Sequence, residues 1–315
     1  MSRRAWWAFA VMSVTWGSSY LLIKIAIDGG MSPLALAWGR IALAAVILIV
    51  LAWRAGALAT LSGRWRWVWA YAVAEISIPF PLIAAGEVHI ASSLAAIIIA
   101  SVPLIVTVLS LRFDPSERPT PLRALGLAIG FVGVIALVGI DVAGSSAAFL
   151  GALAVLVAAV GYAIGPMLVK LGMDGMDSRA AMGGSLAIAT LILAPLAALD
   201  LPQRAPTVGA WAAVAALGVF CTAMAFVVYT VLVREAGTGR ATIITYVNPL
   251  VAVILGVTLL GESPGPGALA GLVMILAGSW LSTGGRLPPR GPLRPRHRRS
   301  GEADVEPDLE AAQCG

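Results

Sequence analysis

Apolar residues run along this chain in long blocks separated by short polar punctuation. The blocks fall at roughly 5–27, 33–53, 65–86, 90–111, 121–140, 148–170, 179–199, 209–233, 240–260 and 266–284. An α-helix rising about 1.5 Å per residue needs about 20 residues to cross about 30 Å of hydrocarbon, and these blocks have that length. Turn-forming stretches bound them, among them Asp28-Gly29-Gly30, Asp114-Pro115-Ser116-Glu117-Arg118-Pro119 and Gly261-Glu262-Ser263-Pro264. In lipid each backbone polar group must be bonded within its own segment, so unbroken apolar runs predict helices. The alternating polarity of membrane-barrel strands is absent from the sequence. The pattern therefore predicts an all-α integral membrane protein of ten transmembrane helices. Met1-Ser2-Arg3-Arg4 leads straight into the first block, and no small-residue cleavage site follows, so that block reads as a retained helix.

Composition narrows the picture further. Of 315 residues 59% are hydrophobic and 12% charged, against about 25% charged in soluble domains. So few charges cannot cover a soluble catalytic module. Two cysteines, Cys221 and Cys314, exclude a disulfide framework and a cysteine-rich metal site. The net charge of +5 is a matter of topology rather than of nucleic-acid binding, because the basic residues are sorted by side. With ten spans, 18 of the 21 fall on one side, including Arg3, Arg4, Arg54, Arg64, Arg66, Arg112, Arg118, Arg123, Lys170, Arg179, Arg234, Arg240 and the arginines from Arg286 to Arg299. Arg204 alone is assigned to the other side, and Lys24 and Arg40 fall within spans. The excess of positive charge on cytoplasmic loops then predicts a multi-pass protein of the cell membrane with both termini cytoplasmic. Residues 285–315, basic and Pro-rich and then acidic, read as a disordered cytoplasmic tail whose basic part rests near anionic lipid.

The two halves of the chain resemble each other. At an offset of 146 residues Trp16 meets Tyr162, Lys24 meets Lys170, Ala95 meets Ala241 and Pro103 meets Pro249. At an offset of 145, Glu117 meets Glu262, Pro119 meets Pro264, Pro121 meets Pro266, Gly126 meets Gly271 and Gly133 meets Gly278. Each half, 5–140 and 148–284, holds five spans. An odd number turns the second half upside down relative to the first, and inverted repeats place a transport site near the midplane between them. Specific motifs carry a family resemblance over essentially residues 5–284: Trp16-Gly17-Ser18-Ser19 with Lys24, Pro79-Phe80 with Gly86-Glu87, Ala91-Ser92-Ser93-Leu94-Ala95 with Pro103, and Tyr246-Val247-Asn248-Pro249-Leu250 running to Leu260-Gly261-Glu262. In their order and duplication they resemble the EamA-like members of the drug/metabolite transporter superfamily. The resemblance implies ten helices in two five-helix repeats and carriage of small metabolites, often outward. The second repeat departs from the first in reading Tyr162-Ala163-Ile164-Gly165 where the first reads Trp-Gly-Ser-Ser.

Ionisable groups inside a span cost about 2.5–3.5 kcal/mol each on insertion scales and are functional candidates by default. Glu75 lies near the middle of the third span. It reads either as the ion-pair partner of Arg40 across the hairpin of the second and third spans, or as a carboxylate that cycles protons and couples transport to the proton gradient. Lys24 reads as a snorkelling cation or as an anion-attracting gate. Glu87 reads as a helix-start charge for the segment from Ala91 or, with His89, as a pH-sensing outer gate. Glu117 and Glu262 read as helix-start charges. Pro103 and Pro249 remove backbone hydrogen bonds and free the carbonyls of Ile99 and Thr245, beside which Ser101, Tyr246 and Asn248 offer donors and acceptors for substrate; packing kinks are the alternative. The glycines of the fifth and tenth spans permit close helix contact.

These readings favour a secondary transporter of small metabolites, such as amino acids or related compounds, embedded in the lipid bilayer. Protons are the candidate coupling ion, and a homodimer is compatible with the sequence. No Gly-x-x-x-x-Gly-Lys loop is present, so no nucleotide or other cofactor is expected. A passive channel or lipid scramblase is the alternative. A membrane-embedded enzyme is disfavoured because His89 and His297 fall on opposite sides and no catalytic cluster is visible.

Overall fold

The computed structural model describes residues 2–113, 120–142, 144–237, 241 and 243–283, and every regular element among them is helical. Two continuous rods open the chain, α1 (Arg3–Asp28) and α2 (Pro33–Arg54). After a 3-10 turn (Ala57–Leu61), α3 (Trp65–Tyr71) passes through a π turn (Ala72–Ser77) into α4 (Pro79–Glu87). The fourth apolar run is split into α5 (Ser92–Ile99) and α6 (Val102–Phe113). Pro103 explains the break, since it has no N–H to donate and its ring excludes the carbonyl four residues back. Then come α7 (Pro121–Asp141), α8 (Ser146–Leu168) with a π extension (Val169–Met173), and α9 (Ser178–Leu199). α10 (Val208–Gly218) runs through a third π turn (Val219–Met224) into α11 (Ala225–Ala236), and α12 (Ile244–Leu260) and α13 (Pro266–Ser282) complete the set.

Among the described residues, 8 helical runs are long and apolar enough to cross a membrane, and α12 and α13 are shorter apolar helices of 17 residues. The first eight expected spans coincide with the observed runs to within a few residues. Glu117, Arg118, Arg240 and the tail from residue 285 lie outside the described residues, as does the side chain of Arg112.

Helix ends follow local chemistry. The hydroxyls of Ser2, Thr120, Ser145 and Thr207 accept from the N–H groups of Ala5, Arg123, Ala148 and Ala210, satisfying donors that have no intrahelical partner. Pro33, Pro79, Pro121 and Pro266 occupy first turns, where a missing N–H costs nothing. α12 ends at Gly261, whose φ of 65° is left-handed and suits glycine.

Packing is organised for a bilayer, with small residues inside and large apolar ones outside. Ala37, Ala44, Ala95, Ala158 and Ala189 are fully buried, whereas Ile135, Leu191 and Val273 are each about two-thirds or more exposed, at 68%, 71% and 67%. α7 and α13 lie along each other so closely that a Cβ on Gly126 would come 2.7 Å from the Gly278 carbonyl oxygen, and one on Gly133 would come 3.1 Å from that of Gly271. The glycines of these two helices do provide close contact. α2 runs along α9, α1 packs against α10, α11 and α12, and α8 packs against α4, α5 and α6.

The π turns at Ala72–Ser77 and Val219–Met224 fall at corresponding places in the two halves. Ser77 Oγ donates to the carbonyl of Ala72 at 2.9 Å, and Thr222 Oγ1 donates to that of Leu217 at 2.9 Å. Each bond reaches five residues back, so a hydroxyl closes the widened turn in both. One extra residue per turn re-aims the neighbouring side chains, and π turns often mark functional positions.

Candidate functional site

Buried polar groups gather in two places. The first is an aromatic cluster, here called the chamber, where α1, α2, α4, α8 and α11 approach the π turns. Arg40 of α2 is 8% exposed; its Nε donates to Thr222 Oγ1 at 2.8 Å, and its guanidinium carbon lies 4.4 Å from the Phe80 ring centroid. The Phe80 ring meets Tyr162 edge-on with centroids 6.4 Å apart, and Trp16 packs on Tyr229 at 5.3 Å. Glu75, in the first π turn, presses its carboxylate against Gly165 of α8, where an added Cβ would overlap it. Its Oε2 is enclosed and has no hydrogen-bond partner. Tyr162 lies within electrostatic reach of both Arg40 and Glu75, and Tyr71 and Tyr229 within reach of Glu75.

The expected Arg40–Glu75 ion pair is not formed. The π turn directs Glu75 toward α8, and Arg40 is held by Thr222 of the other π turn and by Phe80. Arg40 and Glu75 thus both border the Tyr162 ring without meeting each other.

The second cluster lies where α1, α4, α5 and the turn after α12 meet. Lys24 Nζ is 3.0 Å from Asp28 Oδ1 and donates to the Glu87 carbonyl at 3.3 Å. Glu262 reaches across to the start of α5. Its Oε1 accepts from Ser92 N–H and Ser92 Oγ, both at 2.8 Å, and its Oε2 accepts from Ser93 N–H at 3.0 Å. Burial works against ionisation of Glu262, but the hydrogen bonds from Ser93 and Ser92 prevail and hold its carboxyl below the usual range. Glu262 is therefore a helix-start charge, but for α5 rather than for the helix that follows it. Asp141 acts similarly at the start of α13, accepting from the N–H groups of Gly267 at 3.1 Å and of Ala268.

Glu87 departs from its helix-start reading. It ends α4, is 0% exposed, and neither carboxylate oxygen has a hydrogen-bond partner. Glu262 holds the helix-start position that Glu87 was expected to fill. His89 remains exposed beside it.

The remaining candidates scatter. Ser101 is buried at the break between α5 and α6, donating to the Ile98 carbonyl at 2.7 Å. Tyr246 lies at the start of α12 with its hydroxyl 3.3 Å from Thr283 Oγ1, away from the chamber. Asn248 packs against Gly17, next to Trp16, with an enclosed and unpartnered Oδ1. Pro249 bends nothing apart, for α12 continues through it, unlike the break at Pro103. Thr222, Tyr162 and Tyr229 did not stand out as site residues in the sequence. Tyr162 carried a signal in its correspondence to Trp16; Tyr229 and Thr222 carried none, being placed by a π turn that no sequence pattern announces.

Comparison with known proteins adds independent findings. The model of the EamA-like transporter family matches residues 4–139 and again residues 149–284. The chain is 30% identical over 271 residues to the uncharacterized inner membrane transporter YedA of Escherichia coli K12, covering 81% of this chain and 83% of that one. It is 28% identical over 282 residues to a probable terminal-alkyne amino-acid exporter of Streptantibioticus cattleyicolor, covering 88% and 93%. A solved crystal structure with 19% identity superposes with a TM-score of 0.64 over 89% of this chain and 97% of the other, a likeness of fold.

Proposed function

The chain belongs to the EamA-like transporter family, and on that premise we propose that it exports a small zwitterionic metabolite of the amino-acid class by alternating access. The observation that carries this reading is that Arg40 and Glu75, not paired with each other, border the same aromatic cluster around Tyr162. Arg40 makes a side-chain hydrogen bond through Nε alone among the described residues, and Glu75 has a buried, unpartnered oxygen. A substrate carboxylate suits the guanidinium fork, and a substrate ammonium suits Glu75. The substrate's apolar part rests against Phe80, Tyr162, Trp16 and Tyr229. The outward direction is supported by the name of the Streptantibioticus relative.

In this reading α12 and α13 also span the bilayer, giving ten helices in two inverted five-helix repeats with both termini cytoplasmic. The charge asymmetry of the sequence and the corresponding π turns support it. Exchange of conformation between the repeats then opens the chamber to one side or the other. Glu75 is the group through which protons couple to transport, alternating between a neutral form and a charged form neutralised by substrate.

The test is counterflow in proteoliposomes with a panel of labelled amino acids beside analogues lacking either the ammonium or the carboxylate. Accumulation is expected for zwitterions and not for either truncated set. Equal uptake of an analogue lacking the carboxylate would remove Arg40 from the site. For coupling, Glu75→Gln is expected to abolish accumulation driven by a pH gradient and to preserve exchange; gradient-driven accumulation by that variant refutes the role.

A further inference from the structure

Glu87 lies at the end of α4 and has no part in the exchange chemistry above. It is 0% exposed, and both carboxylate oxygens lack a hydrogen-bond partner. The ionisable groups that face it come from three elements: Lys24, Asp28 and Tyr20 of α1, Arg40 of α2, and Glu262 of the turn after α12. α8 closes the remaining side with Gly151 and Val155 packed on Gly86, and supplies no charge.

The nearest cation does not neutralise the carboxylate. Lys24 is bonded to Asp28 at 3.0 Å and gives the Glu87 residue only a 3.3 Å contact to its backbone carbonyl. Glu262 is favoured in its charged form by the three hydrogen bonds it accepts at the start of α5. An anionic Glu87 here would be a second carboxylate facing a charged one, desolvated and unbonded. Like charges in low dielectric do not both ionise.

The Glu262 contact ties the two halves of the chain together, and the Lys24 contact ties two helices of the first half. The Glu262 cap joins the turn after α12 to α5, and Lys24 joins α1 to the end of α4. Beside this junction lies a cavity of about 320 Å³ lined by His89, Ser93, Asp141 and Ser263 among others. Ser93 lines that cavity and donates its N–H to Glu262, so it stands between the cavity and the Glu262 carboxylate.

We propose that Glu87 is an external proton-binding site that sets the outer gate: neutral in the closed junction seen here, and ionised when the junction opens. The assignment to the external side rests on the topology given under the proposed function. On opening, the carboxyl O–H bond breaks, the proton passes to external water by way of the Ser93 cavity, and the carboxylate takes the Lys24 ammonium released from Asp28. Closing reverses each step. Acid outside favours the closed gate, and alkali favours the open one.

Accessibility tests this without any substrate, so its outcome stands apart from whether amino acids are the cargo. In a parent carrying Cys221→Ala and Cys314→Ser, Ala84→Cys places a thiol one turn inward of Glu87 on the same face of α4. Its labelling rate with an impermeant maleimide is followed against external pH and divided by that of Val208→Cys, at a position 86% exposed, to remove the reagent's own pH dependence. The ratio is expected to rise several-fold from acid to alkaline pH, and to become flat with Glu87→Gln. Infrared spectra of the parent should also contain a protonated-carboxyl band that Glu87→Gln removes. A flat ratio in the parent, or an unchanged rise in Glu87→Gln, overturns the proposal. Should the Gln variant fail to fold, Glu87→Asp keeps the titrating group in a changed place, and an unshifted midpoint in that variant overturns the proposal equally.

Discussion

A single methyl group added at Gly165 tests the chamber directly. The Cβ of Gly165→Ala would overlap the Glu75 carboxylate. That carboxylate is the far end of a flexible side chain, so the chain end moves and the backbone stays. Alanine is favoured over glycine inside a helix by about 0.5–1 kcal/mol, which offsets the small strain of re-aiming one side chain. Stability should therefore change little. The site should change much more. Moving Glu75 off α8 removes a charge-assisted contact to the substrate ammonium worth about 1.5–3 kcal/mol, which is roughly 10- to 150-fold in affinity at about 1.4 kcal/mol per tenfold.

Gly161, one turn earlier on α8, provides the matched control. A Cβ there would strike the Ala74 carbonyl and come 2.7 Å from Pro79 Cγ. Backbone and proline ring cannot step aside, so Gly161→Ala should cost about 1–3 kcal/mol of overpacking and lower the melting temperature in detergent. Counterflow on both variants, with thermal unfolding in parallel, separates the two effects. Gly165→Ala should raise the half-saturation constant at nearly native stability, and adding Glu75→Asp, one methylene shorter, should recover part of the loss. Unchanged affinity in Gly165→Ala, or destabilisation matching that of Gly161→Ala, would refute the placement of Glu75.

Three further outcomes are expected. Glu262→Ala should lower stability by about 0.5–2 kcal/mol at neutral pH through loss of the α5 cap; because the folded carboxyl lies below its unfolded value of about 4.3, the gap to the parent should hold above that pH and close as acid protonates the folded Glu262. Arg40→Lys should weaken substrate binding while retaining the charge, because an ammonium cannot keep both the Thr222 bond and the stack on Phe80; an unchanged half-saturation constant would remove Arg40 from the site. In a cysteine-free parent, single cysteines at Gly30, Ser145 and Gly261 should react with an impermeant thiol reagent from outside and those at Gly63 and Gly175 should not, the reverse pattern inverting the topology.

Most of the helix layout was legible because membrane helices announce themselves by length and hydropathy, and their starts by Pro33, Pro121 and Pro266. The α7–α13 seam was legible too, since repeated small residues have one main use in lipid. The interruptions were legible only in part. Pro103 and Pro249 occupy corresponding positions, yet the helix breaks at the first and runs through the second. A proline removes one hydrogen bond in either case; whether the helix parts depends on what neighbouring elements give the freed groups, and that is tertiary information.

The misplaced pair has a different cause. The hairpin of the second and third spans brings Glu75 and Arg40 to similar depth, which is what suggests the pair. The π turn inserts a residue and rotates the face, sending Glu75 to Gly165 and bringing Thr222 of the other turn to Arg40. Both turns carry the same hydroxyl-to-carbonyl bond, from Ser77 and from Thr222, so the backbone device is duplicated. The chemistry is not. The first turn carries Glu75, and the second reads Val-Phe-Cys-Thr-Ala-Met, with no carboxylate. On the proposed reading, a carrier that alternates between two faces needs near-equivalent halves for the motion, while a zwitterionic substrate presents one ammonium and one carboxylate to be met. Duplicated turns with a single acid, and an arginine held by the turn that lacks one, reconcile those two demands within one chain.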